Sequence, residues 1–246
     1  MKKPDRESKE LLMEQKEELT IREFAKLYKM KEINVKKLIE EHKIPAKKVG
    51  KQWKIAKSYL NSWLAKNIKS MSNDKLENIE VDEKNKSIKI TPLLNKDNII
   101  FKPNSYSKTQ IISELIGRLA DIKKLSTDKK EKLVSAVIQR ERLCSTAISD
   151  GIAIPHPRNS MPDIVDEAYI VLAISKIGID FEADDGEKSK LFFFLCAPRN
   201  DIHLKIMARL SRILRDPMFR HKLIQAEDAE TVKTLFSDQE KWIDKK

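Results

Sequence analysis

The chain has 246 residues, 35% charged and 40% apolar, which allows one or two domains with real cores. No apolar run approaches the ~18–20 residues of a membrane span, and the opening MKKPDRESKE lacks the hydrophobic stretch of a secretory signal, so a cytoplasmic location is expected. The net charge of +11 is uneven: residues 1–70 hold 19 Lys/Arg against 10 Asp/Glu, whereas the remainder hold 30 against 28. A basic module is thus joined to a nearly neutral one, which suggests a polyanionic partner; a lysine-rich composition that serves only solubility is the plain alternative. Cys144 and Cys196 sit far apart in apolar surroundings and read as buried free thiols. With so few Cys and His, no metal-site spacing is present and no cofactor is called for.

Residues 1–18 read as a polar arm with Leu11, Leu12 and Met13 as its only apolar cluster. In LTIREFAKLYKM, Thr20 and Glu23 have capping-box spacing, and Leu19 and Phe24 flank them as a hydrophobic staple requires. Ile21, Phe24, Ala25 and Tyr28 share one face. A second helix, EINVKKLIEEH, offers Val35, Leu38 and Ile39. In KIPAKKVGKQWKI two extended pieces flank Gly50-Lys51, a hairpin with Trp53 and Ile55 turned inward. KSYLNSWLAKN closes the module as a helix supplying Leu60, Trp63 and Leu64.

Helix, short turn, helix, wing hairpin and closing helix form a DNA-binding arrangement. Over Leu19 to Leu64 it resembles the excisionase-type (MerR-like) helix-turn-helix. It departs in the turn, where Lys29 and Lys31 occupy places often taken by Gly and a small polar cap. The resemblance implies that the second helix enters the major groove with Asn34, Lys36 and Lys37 near bases or phosphates. Lys47, Lys48 and Lys51 of the hairpin would contact the backbone. The competing reading of such a fold is a protein-docking module. A small reading head of this kind calls for a homodimer to reach useful specificity, though no heptad seam provides one.

Residues 68–90 read as a linker, flexible through Ser87, with SIKITPLL as a brief extended piece. The second domain is expected over 91–237, followed by a tail over 238–246. KTQIISELIGRLAD and STDKKEKLVSAVIQRE are amphipathic helices, the latter capped by Ser126 or Thr127. AYIVLAIS and KLFFFLCA are short strands buried on both faces. IHLKIMARLSRILR and DPMFRHKLIQ are helices, the last started by Asp216-Pro217. The expected fold is an α/β C-terminal domain, a mixed sheet layered with helices, plus a small, mainly α, winged helix-turn-helix N-terminal domain.

Within the second domain, DGIAIPHPRNS places His156 between Pro155 and Pro157 at the end of a short apolar strand, Ile152 to Ile154. Each proline fixes its own φ and biases its predecessor towards extended backbone, so the imidazole is rigidly mounted. A packed histidine needs no such mounting.

RERLCSTAISDGIAIPHPR resembles the phosphorylation-site signature of the fructose/mannitol-type enzyme IIA domain of the bacterial phosphotransferase system. FFFLCAPRNDIHLKIMARLSRILRDPMFRHKL resembles that domain's second signature. The likeness covers about residues 91–237 and is nearest to the nitrogen-regulatory branch, which includes members with an N-terminal helix-turn-helix. It implies a phosphoryl carrier with a phosphohistidine intermediate, His156 being the acceptor and the phosphohistidine carrier protein the donor. Arg140 would stabilise the phosphoryl oxygens, and His203 would lie beside His156 at a helix start. Ser145 and Thr146 would border the same anion site, and Arg158 would add charge or be a solvated loop residue. His42 and His221 read as surface residues. Position 157 is usually Gly in the sugar-transport branch and position 150 is often small; here they are Pro157 and Asp150. The chain reads as a regulator that takes phosphoryl on His156 and binds DNA. Its rivals are a relay passing phosphoryl to a IIB protein and a phosphorylation-sensitive module whose targets are transporters or kinases.

Overall fold

The computed structural model describes residues 18–27, 31–41, 44, 46–56, 72–80 and 87–245. The polar arm over 1–17, Tyr28, Lys29, His42 and the closing helix over 57–67 lie outside them. The N-terminal module runs β1 (Glu18–Thr20), α1 (Ile21–Leu27), α2 (Glu32–Glu40), β2 (Ala46–Val49) and β3 (Gln52–Ala56). The capping box forms as its spacing requires: the Thr20 hydroxyl accepts from the Glu23 amide at 3.2 Å, and the Glu23 carboxylate accepts from the Thr20 amide at 2.8 Å. Leu19 and Phe24 are buried together with Val35, Ile39, Ile44 and Ile55, and Trp53 is half-buried. Gly50 adopts φ +60°, the left-handed geometry that a two-residue hairpin turn with Gly in its first place needs.

One local feature differs from expectation. Glu18, assigned to the arm, starts a strand that pairs antiparallel with β3, so the hairpin grows into a three-stranded sheet of order β1-β3-β2. Three residues with one inward Leu carry too little alternation to be read in advance. Lys31 precedes α2 with extended backbone, φ −73°, so a lysine there incurs no left-handed strain.

The spacer reading fails for residues 73–80. They form α3 (Asn73–Glu80), in which Leu76, Ile79 and Glu80 are buried. Only two apolar residues mark this helix, so its stability comes from packing and not from a visible stripe.

Short 3₁₀ turns at Thr91–Leu93 and Lys96–Asn98 lead into β4 (Ile99–Phe101), α4 (Lys108–Lys123) and α5 (Thr127–Leu143). The Ser126 side chain caps α5. Then follow β5 (Ala147–Ser149), β6 (Ile152–Ala153), β7 (Tyr169–Ile179), β8 (Ser189–Cys196), α6 (Asn200–Leu214), α7 (Pro217–Gln225) and α8 (Ala229–Ile243). Asp216 caps α7 with Pro217 in its first turn. The strands form one mixed sheet, β4-β7-β8-β6-β5, in which β4/β7 and β6/β8 are parallel and the other two pairs antiparallel.

Alternate residues of β7 and β8 face opposite layers. Leu172, Leu191, Phe193 and Leu195 join the core containing Leu204, Met207, Leu223 and Phe236; Val171, Ala173, Phe192 and Phe194 join Ile112, Leu115, Leu133 and Val137. β8 is therefore buried but for half-buried Lys190, and β7 is buried over Ile170 to Ser175, as the continuous apolar runs require, whereas its end emerges at exposed Lys176 and Ile177. The expected tail over 238–246 is instead largely helix: α8 continues to Ile243, and Glu240 and Ile243 are buried.

Candidate active site

The site lies where two parallel strands end. Ile152 and Ala153 of β6 pair with Leu191 and Phe192 of β8, so the loops that follow both strands leave the sheet at the same edge. Beyond β6 the chain stays clamped: the Ile154 amide donates to the Thr146 carbonyl at 3.1 Å, and the Leu195 amide donates to the Pro155 carbonyl at 3.1 Å. Neither Pro155 nor Pro157 carries an N–H, so neither leaves a donor to satisfy. The next residue is His156. The loop after β8 opens α6, and His203 sits in its first turn, with its amide donating to the Arg199 carbonyl at 3.1 Å.

The two imidazoles meet with ring centroids 4.9 Å apart and planes inclined at 54°. His156 is fully buried and His203 is 4% exposed. His156 Nδ1 lies 2.6 Å from the Ile154 carbonyl, which can only accept, so in the neutral ring Nδ1 carries the proton. Nε2 then holds a bare lone pair. Neither His156 Nε2 nor His203 Nε2 has a hydrogen-bond partner among the described residues. Burial, then the neighbouring His203 and Arg140, push His156 well below the ordinary imidazole value. Burial and the Arg140 charge bring His203 down to about 4. Both rings are neutral at physiological pH.

Arg140, near the end of α5, is 1% exposed. One arm, Nη1, donates to the Cys144 carbonyl at 2.7 Å, closing the helix end; Nε and Nη2 have no hydrogen-bond partner among the described residues. A guanidinium stays charged at any physiological pH, so this is a buried cation with donors to spare beside two neutral imidazoles. Arg158 is half-buried and close enough for its charge to oppose that of Arg140.

Ser145 and Thr146 are in place, but their hydroxyls are committed elsewhere. Ser145 Oγ donates to the Phe181 carbonyl and accepts from the Ala147 amide at 3.1 Å. Thr146 Oγ1 donates to the Glu141 carboxylate at 2.6 Å, which also accepts from the Thr146 amide at 3.1 Å. These residues shape the loop between Arg140 and β5. Glu141, which sequence reasoning missed, anchors that loop and is held in turn by Lys108 at 3.4 Å. Its signal was the short five-residue step to Thr146.

Asp150 does not face the imidazoles. It lies in a turn where Ser149, Asp150 and Gly151 all have positive φ, and its carboxylate is 3.6 Å from Arg220 Nη2. An aspartate tolerates this left-handed geometry better than most residues. Cys196 is a buried free thiol pushed up to about 12 by burial, and Cys144 is free and half-buried. Among the described residues no cluster of three or more His, Cys, Asp or Glu could hold a metal ion, and no helix is long and apolar enough to cross a membrane.

In the N-terminal module, Asn34, Lys36 and Lys37 are exposed on α2, and Lys47, Lys48 and Lys51 are exposed on the hairpin. Residues 32–41 nonetheless hold two lysines against three glutamates, and Lys36 and Lys37 lie 3.7 and 3.8 Å from Glu40 and Glu41. Lys47 is 2.5 Å from Glu18.

Comparison with known proteins gives this architecture relatives. The helix-turn-helix domain profile matches residues 18–68. A nitrogen regulatory protein of Bradyrhizobium diazoefficiens is 34% identical over 151 residues, 60% of this chain and 94% of that protein. The fructose-specific EIIABC component of Bacillus subtilis is 33% identical over 156 residues, 63% of this chain but only 24% of that longer protein. The crystal structure of the nitrogen regulatory protein IIA-Ntr from Neisseria meningitidis superposes with a TM-score of 0.54 at 25% identity, covering 60% of this chain and 98% of that one. The profile of the phosphoenolpyruvate-dependent sugar phosphotransferase system EIIA 2 family matches residues 92–239, more than half of the chain, and the protein belongs to that family.

Proposed function

We propose that this nitrogen-regulatory-like IIA protein accepts a phosphoryl group on Nε2 of His156 from a phosphohistidine carrier protein. The observation that carries the reading is the tautomer: the Ile154 carbonyl holds the Nδ1 proton and leaves a bare nucleophile at Nε2. During transfer the donor's N–P bond breaks with its electron pair staying on the donor nitrogen, and the Nε2 lone pair forms the new N–P bond. Nδ1 keeps its proton throughout, so no base is needed. Charge gathers on the three phosphoryl oxygens, where Arg140 supplies its spare N–H groups and the first turn of α6 its helix N-terminus. His203, neutral and adjacent, donates a hydrogen bond once its ring carries a proton on the nitrogen that faces the phosphoryl group. The ring of His156 is covered, so donor docking must open the wall above it.

The N-terminal module binds DNA, with α2 as the reading helix and the hairpin lysines as phosphate contacts, in a cytoplasmic regulator acting as a homodimer. The relay reading, in which phosphoryl passes on to a IIB protein, draws support from the likeness to the fructose-specific component. Incubation with phosphoenolpyruvate and the general phosphotransferase proteins, followed by intact-mass spectrometry, tests the central step. One acid-labile phosphoryl group is expected, absent in His156→Ala. Full labelling of that variant would refute the assignment, and phosphate recovered on a sugar after adding IIB and IIC partners would favour the relay.

A further inference from the structure

The segment between the two matched regions docks on the second of them. α3 lies along α6 in antiparallel order: Asn73 meets Arg215 at 2.5 Å, Glu77 meets Arg212 at 3.8 Å, and Glu80 meets both Arg212 and Arg209, the latter at 2.9 Å. Arg209 and Arg212 of α6 and Arg215, the residue just past its end, are spaced three apart, a little under one turn each, so they form a ladder along α3. Glu80 and Arg209 are both completely buried, so salt screens this pair far less than the exposed ones. Arg209 is further held by Asp244 of the C-terminal end at 2.8 Å. Leu76 and Ile79 bury the apolar side of the same helix.

α6 is also the helix whose first turn holds His203 against His156. Arg209 follows His203 by six residues, about 9 Å along the helix axis. Resting on the phosphoacceptor reading above, we infer that residues 73–80 are an acidic latch, docked on α6 in the unphosphorylated chain and released when His156 is loaded. The sequence NDKLENIE carries three acids and one lysine, so it is repelled by the anionic phosphoryl oxygens. Arg209 is attracted by them. Both effects oppose the Arg209–Glu80 pair, and a rigid helix transmits any shift of His203 directly to the ladder. The latch stands between the residues matched by the helix-turn-helix profile and those matched by the EIIA 2 profile, so its release frees one module from the other.

The test is hydrogen exchange by mass spectrometry on the full chain, unphosphorylated and phosphorylated, with intact mass confirming the load. Peptides covering 73–80 are expected to exchange about tenfold faster or more in the phosphorylated protein, while β7 and β8 stay protected. Full loading with unchanged exchange at 73–80 would overturn release. Independently, Glu80→Lys in the unphosphorylated chain is expected to open the same peptides, and unchanged exchange there would overturn the latch itself. Should Glu80→Lys not fold, Glu77→Lys on the exposed side reads the same contact, with a smaller effect. Failure of the wild type to take phosphate would remove the phosphoacceptor reading and release together, leaving docking to be decided by these two variants.

Discussion

Positive charge is used in opposite ways in the two modules of this chain. At the histidine site one arginine, 1% exposed, is fixed by a carbonyl and keeps two N–H positions unspent beside neutral rings. On the N-terminal module the candidate lysines are exposed, and three of the six polar candidates are already within 4 Å of a glutamate. A buried, preorganised cation acts on charge that develops at one group; an exposed lysine attracts any polyanion, weakly and with strong dependence on salt. The first arrangement specifies a chemistry, the second only a class of partner.

The largest expected effect breaks the buried side of that contrast. Arg140→Ala should slow phosphoryl uptake by about 10²–10³-fold, because it removes the charge from the oxygens and the tie to Cys144 together. Arg140→Lys should not restore it, since one ammonium cannot serve the carbonyl and the phosphoryl group as a planar fork does. Stopped-flow transfer from the phosphorylated donor, beside circular dichroism to confirm folding, reads both; full activity in the lysine variant would contradict the fork.

Next comes acid sensitivity. His156 and His203 are held below the unfolded imidazole value of 6.5, His203 at about 4, so between these limits the unfolded chain binds more protons than the folded one. Their contribution is fully present above pH 6.5 and is lost as pH falls towards 4, by about 3 kcal/mol for His203 alone. Urea unfolding at pH 7, 5.5 and 4.5 should show a shallower decline in His203→Gln than in the wild type. Parallel declines would mean that this ring is not held neutral by its surroundings.

Smaller still, Thr146→Val should cost about 1–3 kcal/mol of stability by removing a donor from buried Glu141, with phosphoryl uptake nearly unchanged. A large loss of uptake with little loss of stability would place this hydroxyl on the phosphoryl group instead. The weakest effects belong to the exposed lysines. Lys48→Ala and Lys51→Ala should each lower the salt slope of DNA binding by about 1, as measured by fluorescence anisotropy over a salt series. Lys36→Ala should do less, because Glu40 already offsets its charge.

The same contrast governs what could be read in advance. The histidine mount was legible because prolines, helix caps and strands act locally: Pro155-His156-Pro157, the Ser126 and Asp216 caps and the two apolar strands all stand where short-range rules place them. What escaped depended on distant partners. α3 is a helix because Arg209 and Arg212 wait on another element, and β1 is a strand because β3 lies beside it. α8 carries on past residue 237 because the Ile90 amide, the Thr91 hydroxyl and Arg209 hold Glu240, and Arg209 holds Asp244. The roles expected of Ser145 and Thr146 came from the family resemblance, whereas their hydrogen bonds follow from Phe181 and Glu141.

The most direct test of the central claim is a nitrogen–proton correlation spectrum of ring-labelled histidine, recorded at neutral pH before and after phosphoryl transfer. The expected result is a neutral His156 with its proton on Nδ1, and a phosphorus coupling that appears at Nε2. A charged ring before transfer, or phosphorus bonded to Nδ1, would contradict it.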